Sequence, residues 1–168
     1  MRGARPPASL CPEGEFLVIH QDAMRVALDQ ARLALAAGEV PVGAAIACDG
    51  EIVGLGRNTR EGDADPLGHA EIGAIRQAAS RLGRWRLTGC TLYVTLEPCP
   101  MCAAAAVQAR LDRIVFAAYD PKLGACGSVF SLAEARPWNH RIEVIGGICE
   151  DESVRLLKRF FAERRPSS

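Results

Sequence analysis

The sequence predicts an α/β fold: a three-layer α/β/α sandwich around a five-stranded mixed sheet. Three observations carry that reading. Apolar residues recur at helical spacing in some stretches and form short β-rich runs in others, and the two kinds of stretch alternate along the chain. Asp49-Gly50 between two apolar runs marks a tight hairpin, so the sheet opens with an antiparallel pair. The last two strand-like runs are separated by residues 119 to 141, long enough for a crossover, so they are expected to be parallel.

Taken in order, residues 1 to about 20 read as a flexible N-terminal arm, because Pro6-Pro7 and Pro12 oppose regular structure. Residues 21 to 168 are then the single folded domain. Asp22 is a plausible N-cap; Ala23, Val26, Ala27, Ala31 and Ala34 follow at helical spacing until Gly38 stops the run. Residues 42 to 48 and 51 to 56 are the hairpin strands. A polar loop leads to His69, after which Ile72, Ile75, Ala79 and Leu82 mark a second helix ending at Gly83. Residues 91 to 96 form the third strand, and Glu97-Pro98 end it just before a third helix that opens at Cys99. Residues 113 to 118 and 142 to 145 are the fourth and fifth strands, and the last helix runs from about 151 to 163.

Length and composition narrow the function classes. The 168 residues suit one domain with an ordinary core, 49% of them being hydrophobic. No apolar run approaches membrane-spanning length, and the basic N-terminus lacks the apolar segment of a secretory signal, so a cytoplasmic location is expected. Seven cysteines, an odd number, argue for reduced thiols; Cys48 and Cys90 read as small core residues, and Cys126 lies in a glycine-containing loop. Twenty basic and twenty acidic side chains leave zero formal net charge, so any polynucleotide surface must be local. The segment from Arg155 to Arg165 carries five basic groups, one acid and the pair Phe160-Phe161. It suits phosphate contact with base stacking, although the segment alone favours an amphipathic helix with a solvated charged face and its aromatics packed inward.

The chemistry lies in His69-Ala70-Glu71 and Pro98-Cys99-Pro100-Met101-Cys102. One imidazole and two thiols at this spacing make three protein ligands for a tetrahedral zinc ion, leaving the fourth position to an acidified water. Cys99 and Cys102, three apart at a helix start, share one face where the exposed amides favour thiolate. His69 and Glu71 sit in the first turn of the preceding helix, so two helix starts converge on one metal. Glu71 is placed to carry protons between that water and a substrate nitrogen. H-x-E followed by P-C-x-x-C is the signature of zinc-dependent nucleobase deaminases. A structural zinc site or a redox dithiol is the competing reading; it would want a fourth Cys or His at short spacing, and His20 and His140 lie far away.

Together with Gly38-Glu39-Val40-Pro41-Val42-Gly43-Ala44, Arg57-Asn58, Asp120-Pro121-Lys122-Leu123-Gly124-Ala125-Cys126-Gly127-Ser128, Asn139-His140-Arg141, Phe160-Phe161 and Arg164-Arg165, these motifs resemble the cytidine deaminase-like superfamily. Within it the chain is similar, over roughly residues 20 to 165, to the bacterial tRNA-specific adenosine deaminases. The resemblance implies one zinc per subunit on His69, Cys99 and Cys102, Glu71 as the proton shuttle, and hydrolysis of adenosine to inosine at the wobble position of a tRNA anticodon, with an arginine tRNA expected. It implies that Asn58 contacts the flipped base, that Asp120, Lys122, Asn139 and His140 line the anticodon-loop groove, and that Phe160 belongs to a tRNA-binding helix. It further implies a homodimer. From the residues alone Asn58 could equally be a turn former at a strand end, and His140 a hydrogen-bonded structural histidine. Two departures from the family pattern are Leu67-Gly68 before His69 and the Ala-rich run Ala103-Ala104-Ala105-Ala106. The rival functions are a zinc deaminase of a free base or nucleoside, such as guanine or cytosine, and a zinc-stabilised binding module without turnover.

Overall fold

The computed structural model describes residues 13–164. The chain order is α1 (Glu13–Ala36), β1 (Gly43–Cys48), β2 (Glu51–Arg57), α2 (Ala70–Leu82), β3 (Cys90–Leu96), α3 (Pro100–Gln108), β4 (Arg113–Ala118), β5 (Glu143–Ile145) and α4 (Glu150–Glu163). The five strands form one sheet in the order β2-β1-β3-β4-β5. β1 is antiparallel to β2 and β3, whereas β3, β4 and β5 run parallel. The mixed sheet expected from the hairpin and the crossover lengths is the one observed.

Both faces of the sheet are covered because each strand alternates two apolar faces. Ala44, Ile46, Leu92, Val94, Ile114 and Phe116 turn to one side, where Ala70, Ala74 and Ala78 of α2 and Ala103, Ala106 and Val107 of α3 meet them. Ala45, Tyr93, Val115 and Ala117 turn to the other, against Met24, Ala27 and Leu28 of α1, with Leu156 of α4 packed at the margin. Leu92, Ile114 and Phe116 are essentially inaccessible, each contributing about 1.5–3 kcal/mol through apolar burial.

Local chemistry explains the element boundaries. Asp49 and Gly50 both have positive φ, 52° and 82°, as a two-residue hairpin turn with matching twist requires. Gly83, in left-handed conformation at φ 64°, caps α2. Pro100 occupies the first turn of α3, where its missing N–H costs nothing.

One feature departs from the sequence-based expectation. The first helix begins at Glu13, not after Asp22, so the boundary expected at residue 20 falls inside α1. Leu17, Val18 and Ile19 are exposed and aperiodic, which hides the helix from a periodicity argument, and buried His20, its Nδ1 2.9 Å from the Tyr93 hydroxyl, ties this part of α1 to β3. The rest of the expected arm lies outside the described residues. The β4–β5 crossover contains no helix; its Ala125, Cys126, Ala133 and Ile142 pack into the α2/α3 core instead.

Candidate active site

Two helices begin at one point, beyond the C-terminal ends of β3 and β4, where open α/β sheets bind ligands. His69 is the N-cap of α2 and Cys99 the N-cap of α3, both in extended backbone conformation. Neither side chain caps its own helix, which leaves both free to face each other. His69 Nδ1 lies 3.7 Å from Cys99 Sγ and 3.4 Å from Cys102 Sγ. All three donor atoms fall within 4.8 Å of one another, and among the described residues no fourth His, Cys, Asp or Glu joins them. Tetrahedral zinc, with bonds of about 2.1 Å to nitrogen and 2.3 Å to sulfur, separates such donors by about 3.5 Å, so this set fits the ion.

Electrostatics prepare the same groups. The thiol of Cys102 donates to Cys99 and, with His69 beside it, holds Cys99 down to about 4, while that bond and burial push Cys102 up. The hydrogen bond with Cys99 raises His69 above its ordinary value. Glu71, in the first turn of α2, is 4% exposed. Burial pushes its carboxyl above the usual carboxylate range, against the opposing pull of its backbone amide and His69. A buried carboxyl beside three side chains that could hold a metal is placed to transfer protons.

These groups open onto a cavity of about 180 Å³. Its apolar lining is Val40, Val42, Ala70, Leu96 and Leu123; its polar lining is Asn58, Arg60, His69, Glu71, Glu97, Cys99 and Asp120. Aliphatic walls with a few converging polar groups suit a flat heterocycle.

The family model for MafB19-like deaminases matches residues 18–165. The tRNA-specific adenosine deaminase of Bacillus subtilis is 45% identical over 142 residues, covering 84% of this chain and 88% of the relative. A solved tRNA:A34 deaminase, described for A-to-I editing at the wobble position of transfer RNA, superposes with a TM-score of 0.78 at 42% identity over 81% of this chain and 99% of that one. A guanine deaminase structure from Bacillus subtilis has a TM-score of 0.57 at 39% identity, over 60% of this chain and 64% of that one. The chain belongs to the MafB19-like deaminase family and, within it, groups with the tRNA-specific adenosine deaminases.

In this deaminase the predicted site residues divide into three groups. His69, Glu71, Cys99, Asn58 and Asp120 all line the cavity, and Cys102 lies behind it against His69. Asn58 is both at the cavity and in a turn. It lines the cavity while its Nδ2 donates to the Val40 carbonyl at 3.3 Å and its Oδ1 accepts from Arg60 N at 3.3 Å, so these bonds fix the amide at the cavity wall. Lys122 borders a separate groove along α4, with Tyr119, Lys158, Phe161 and Arg164. Phe160 is buried at 5% exposure, with the Arg164 guanidinium stacked 4.2 Å from its ring centroid. The exposed aromatic of the pair is Phe161. Arg165, also expected on this surface, lies outside the described residues. Asn139 and His140 precede β5 and stand at the opposite end of the sheet: Arg110 donates to Asn139 Oδ1 at 2.8 Å, and His140 Nε2 lies 2.6 Å from the Leu111 carbonyl oxygen.

Sequence reasoning missed the roles of two buried carboxylates, Glu97, which lines the cavity, and Glu39, which holds the loop that carries Arg60. Glu97, 2% exposed, accepts the N–H groups of Asp120, Cys126 and Ser128, each at 3.0 Å, and the Ser128 hydroxyl. Burial alone would raise its carboxyl, but the Ser128 hydroxyl and the three amides outweigh burial and hold it below the usual range. Glu39, 4% exposed, accepts from Gly62 N at 2.7 Å and Glu61 N at 3.3 Å. Each carboxylate fixes one loop, residues 119–128 and 58–68 respectively. The only local signal was an acid beside an apolar strand, which says nothing of distant amides.

Proposed function

We propose that the protein is a zinc-dependent hydrolase that converts adenosine to inosine at the wobble position of a tRNA anticodon, an arginine tRNA being the expected substrate. The observation that carries the reading is the juxtaposition of Glu71 with the His69, Cys99, Cys102 donor set in a cavity shaped for a heterocycle. Those three side chains would hold zinc, which would supply an acidified water as the nucleophile. Glu71 takes a proton from the water as its oxygen bonds to C6 and delivers it to ring N1 of adenine; it then takes the second proton from the new C6 hydroxyl and passes it to the amine nitrogen as the C6–N6 bond breaks, leaving the C6 carbonyl of inosine and ammonia. The amide of Asn58, held by Val40 and Arg60, presents a fixed donor and acceptor edge to the base. Val40, Val42 and Leu96 exclude water around the ring.

An RNA substrate is supported by the similarity to the tRNA deaminases and by the α4 groove, where exposed Tyr119 and Phe161 stand among Lys122, Lys158 and Arg164. Aromatic faces among cations suit unpaired bases and their phosphates. A homodimer acting in the cytoplasm is part of the same proposal. Among the described residues no helix is long and apolar enough to cross a membrane. The test is ammonia release and inosine formation from an anticodon stem-loop bearing the wobble adenosine, compared with free adenosine, guanine and cytosine. Turnover confined to the stem-loop is expected; turnover confined to a free base returns the reaction to the small-molecule class. Sedimentation of the purified protein tests the dimer.

A further inference from the structure

We propose that Arg60 is a specificity-determining residue whose guanidinium clamps the phosphodiester flanking the target nucleotide; this rests on the RNA substrate proposed above. Besides the ligand His69, Arg60 is the one basic residue among those lining the cavity, and it is exposed, so it borders both the site and solvent. Its guanidinium makes no hydrogen bond or ion pair with any described residue. The acids of the cavity are otherwise engaged: Glu97 with the amides of its loop, and Asp120 Oδ1 with Lys122 N at 2.9 Å and Leu123 N at 3.2 Å. Glu71 is buried.

The backbone of Arg60, by contrast, is held on both sides. Its N–H donates to Asn58 Oδ1 at 3.3 Å, its carbonyl accepts from Asp65 N at 3.1 Å, and Glu39 fixes the next two amides, Glu61 and Gly62. A cation on an ordered backbone with an unused head group contributes little to folding and is available to a ligand. That ligand must be anionic and adjacent to what fills the cavity. A purine base is neutral; the first anion along the chain from a nucleotide held there is its own phosphodiester, whose two non-bridging oxygens match a guanidinium fork. Free bases and nucleosides carry no such group, so Arg60 separates polynucleotide from small-molecule substrates.

The experiment compares the zinc-loaded wild type with Arg60→Gln on an anticodon stem-loop, and on stem-loops carrying one neutral methylphosphonate 5′ or 3′ of the target adenosine. Metal content and Tm are measured on both proteins to exclude misfolding. The variant is expected to raise KM about tenfold with kcat changed less than about twofold, and to flatten the slope of log affinity against log salt by about 0.7, the value for one phosphate on a single strand. One of the two methylphosphonates should bring wild type to the level of the variant and leave the variant unchanged. Unaltered KM and salt slope in Arg60→Gln, with the wild type editing normally, overturns the assignment and leaves the function intact. Equal losses in both proteins at both phosphate positions overturn it too. A wild type silent on every stem-loop but active on a free base overturns the function and, with it, the role of Arg60.

Discussion

At the residue scale the proposed reaction depends on one buried carboxyl beside the His69, Cys99, Cys102 set. Glu71→Gln keeps the shape and removes the proton carrier, so turnover should fall about 10²- to 10⁴-fold while bound zinc stays near one per chain, read by single-turnover assay and metal analysis. Full activity in a zinc-loaded Glu71→Gln would remove Glu71 from the mechanism. Glu97 acts at one remove. Glu97→Gln substitutes an amide whose NH₂ faces N–H donors, and each charge-assisted bond lost costs about 1.5–3 kcal/mol. Hydrogen exchange at the Cys126 and Ser128 amides should accelerate and KM should rise; protection as in the wild type would show that the loop is held by something else.

At the element scale the site depends on how closely α2 approaches the sheet. A Cβ on Gly56 would stand 1.9 Å from the Ala70 carbonyl oxygen, at the first turn of the helix that His69 caps. Gly56→Val therefore has to displace that turn. Overpacking of this kind costs about 1–3 kcal/mol, visible as a lower urea midpoint, and affinity for the proposed zinc should fall with it because His69 moves. An unchanged midpoint would mean that α2 shifts freely, contrary to its packing on β2. Gly54 faces α2 in the same way, while Gly43 lies against the backbone of α1. These glycines read in the sequence only as interruptions of strands, since close approach is a property of two elements and not of one.

At the scale of the whole molecule, the layers are joined by a few polar contacts that respond to conditions. Burial, then the nearby Arg113 charge, lowers the pKa of His20, which links α1 to β3 through the Tyr93 hydroxyl. Below about pH 6.5 the unfolded chain takes up a proton that the folded one refuses, so the unfolded state binds more protons and stability falls as pH drops from there toward the lowered folded-state pKa. His20→Gln should flatten the curve of unfolding free energy against pH over that window; an equally steep curve in the variant would assign the loss to another group. Chelation acts on the opposite side of the sheet. Metal release frees the starts of α2 and α3 from each other and should lower Tm by on the order of 10 °C, reversed by added zinc.

Much of this was legible in the sequence because the signals are local. The spacing of His69, Glu71, Cys99 and Cys102 at two helix starts dictates which atoms can meet, and the Asp49-Gly50 turn and alternating strands dictate a mixed sheet buried on both faces. Tertiary structure alone decided the rest. It turned Phe160 inward and Phe161 outward, sent Asn139 and His140 to the far end of the sheet, and used Glu39 and Glu97 to fix loops more than twenty residues away. Those outcomes depend on which partners arrive from distant parts of the chain. A single segment carries its own periodicity and capping chemistry, but the amides that satisfy a buried carboxylate belong to the fold.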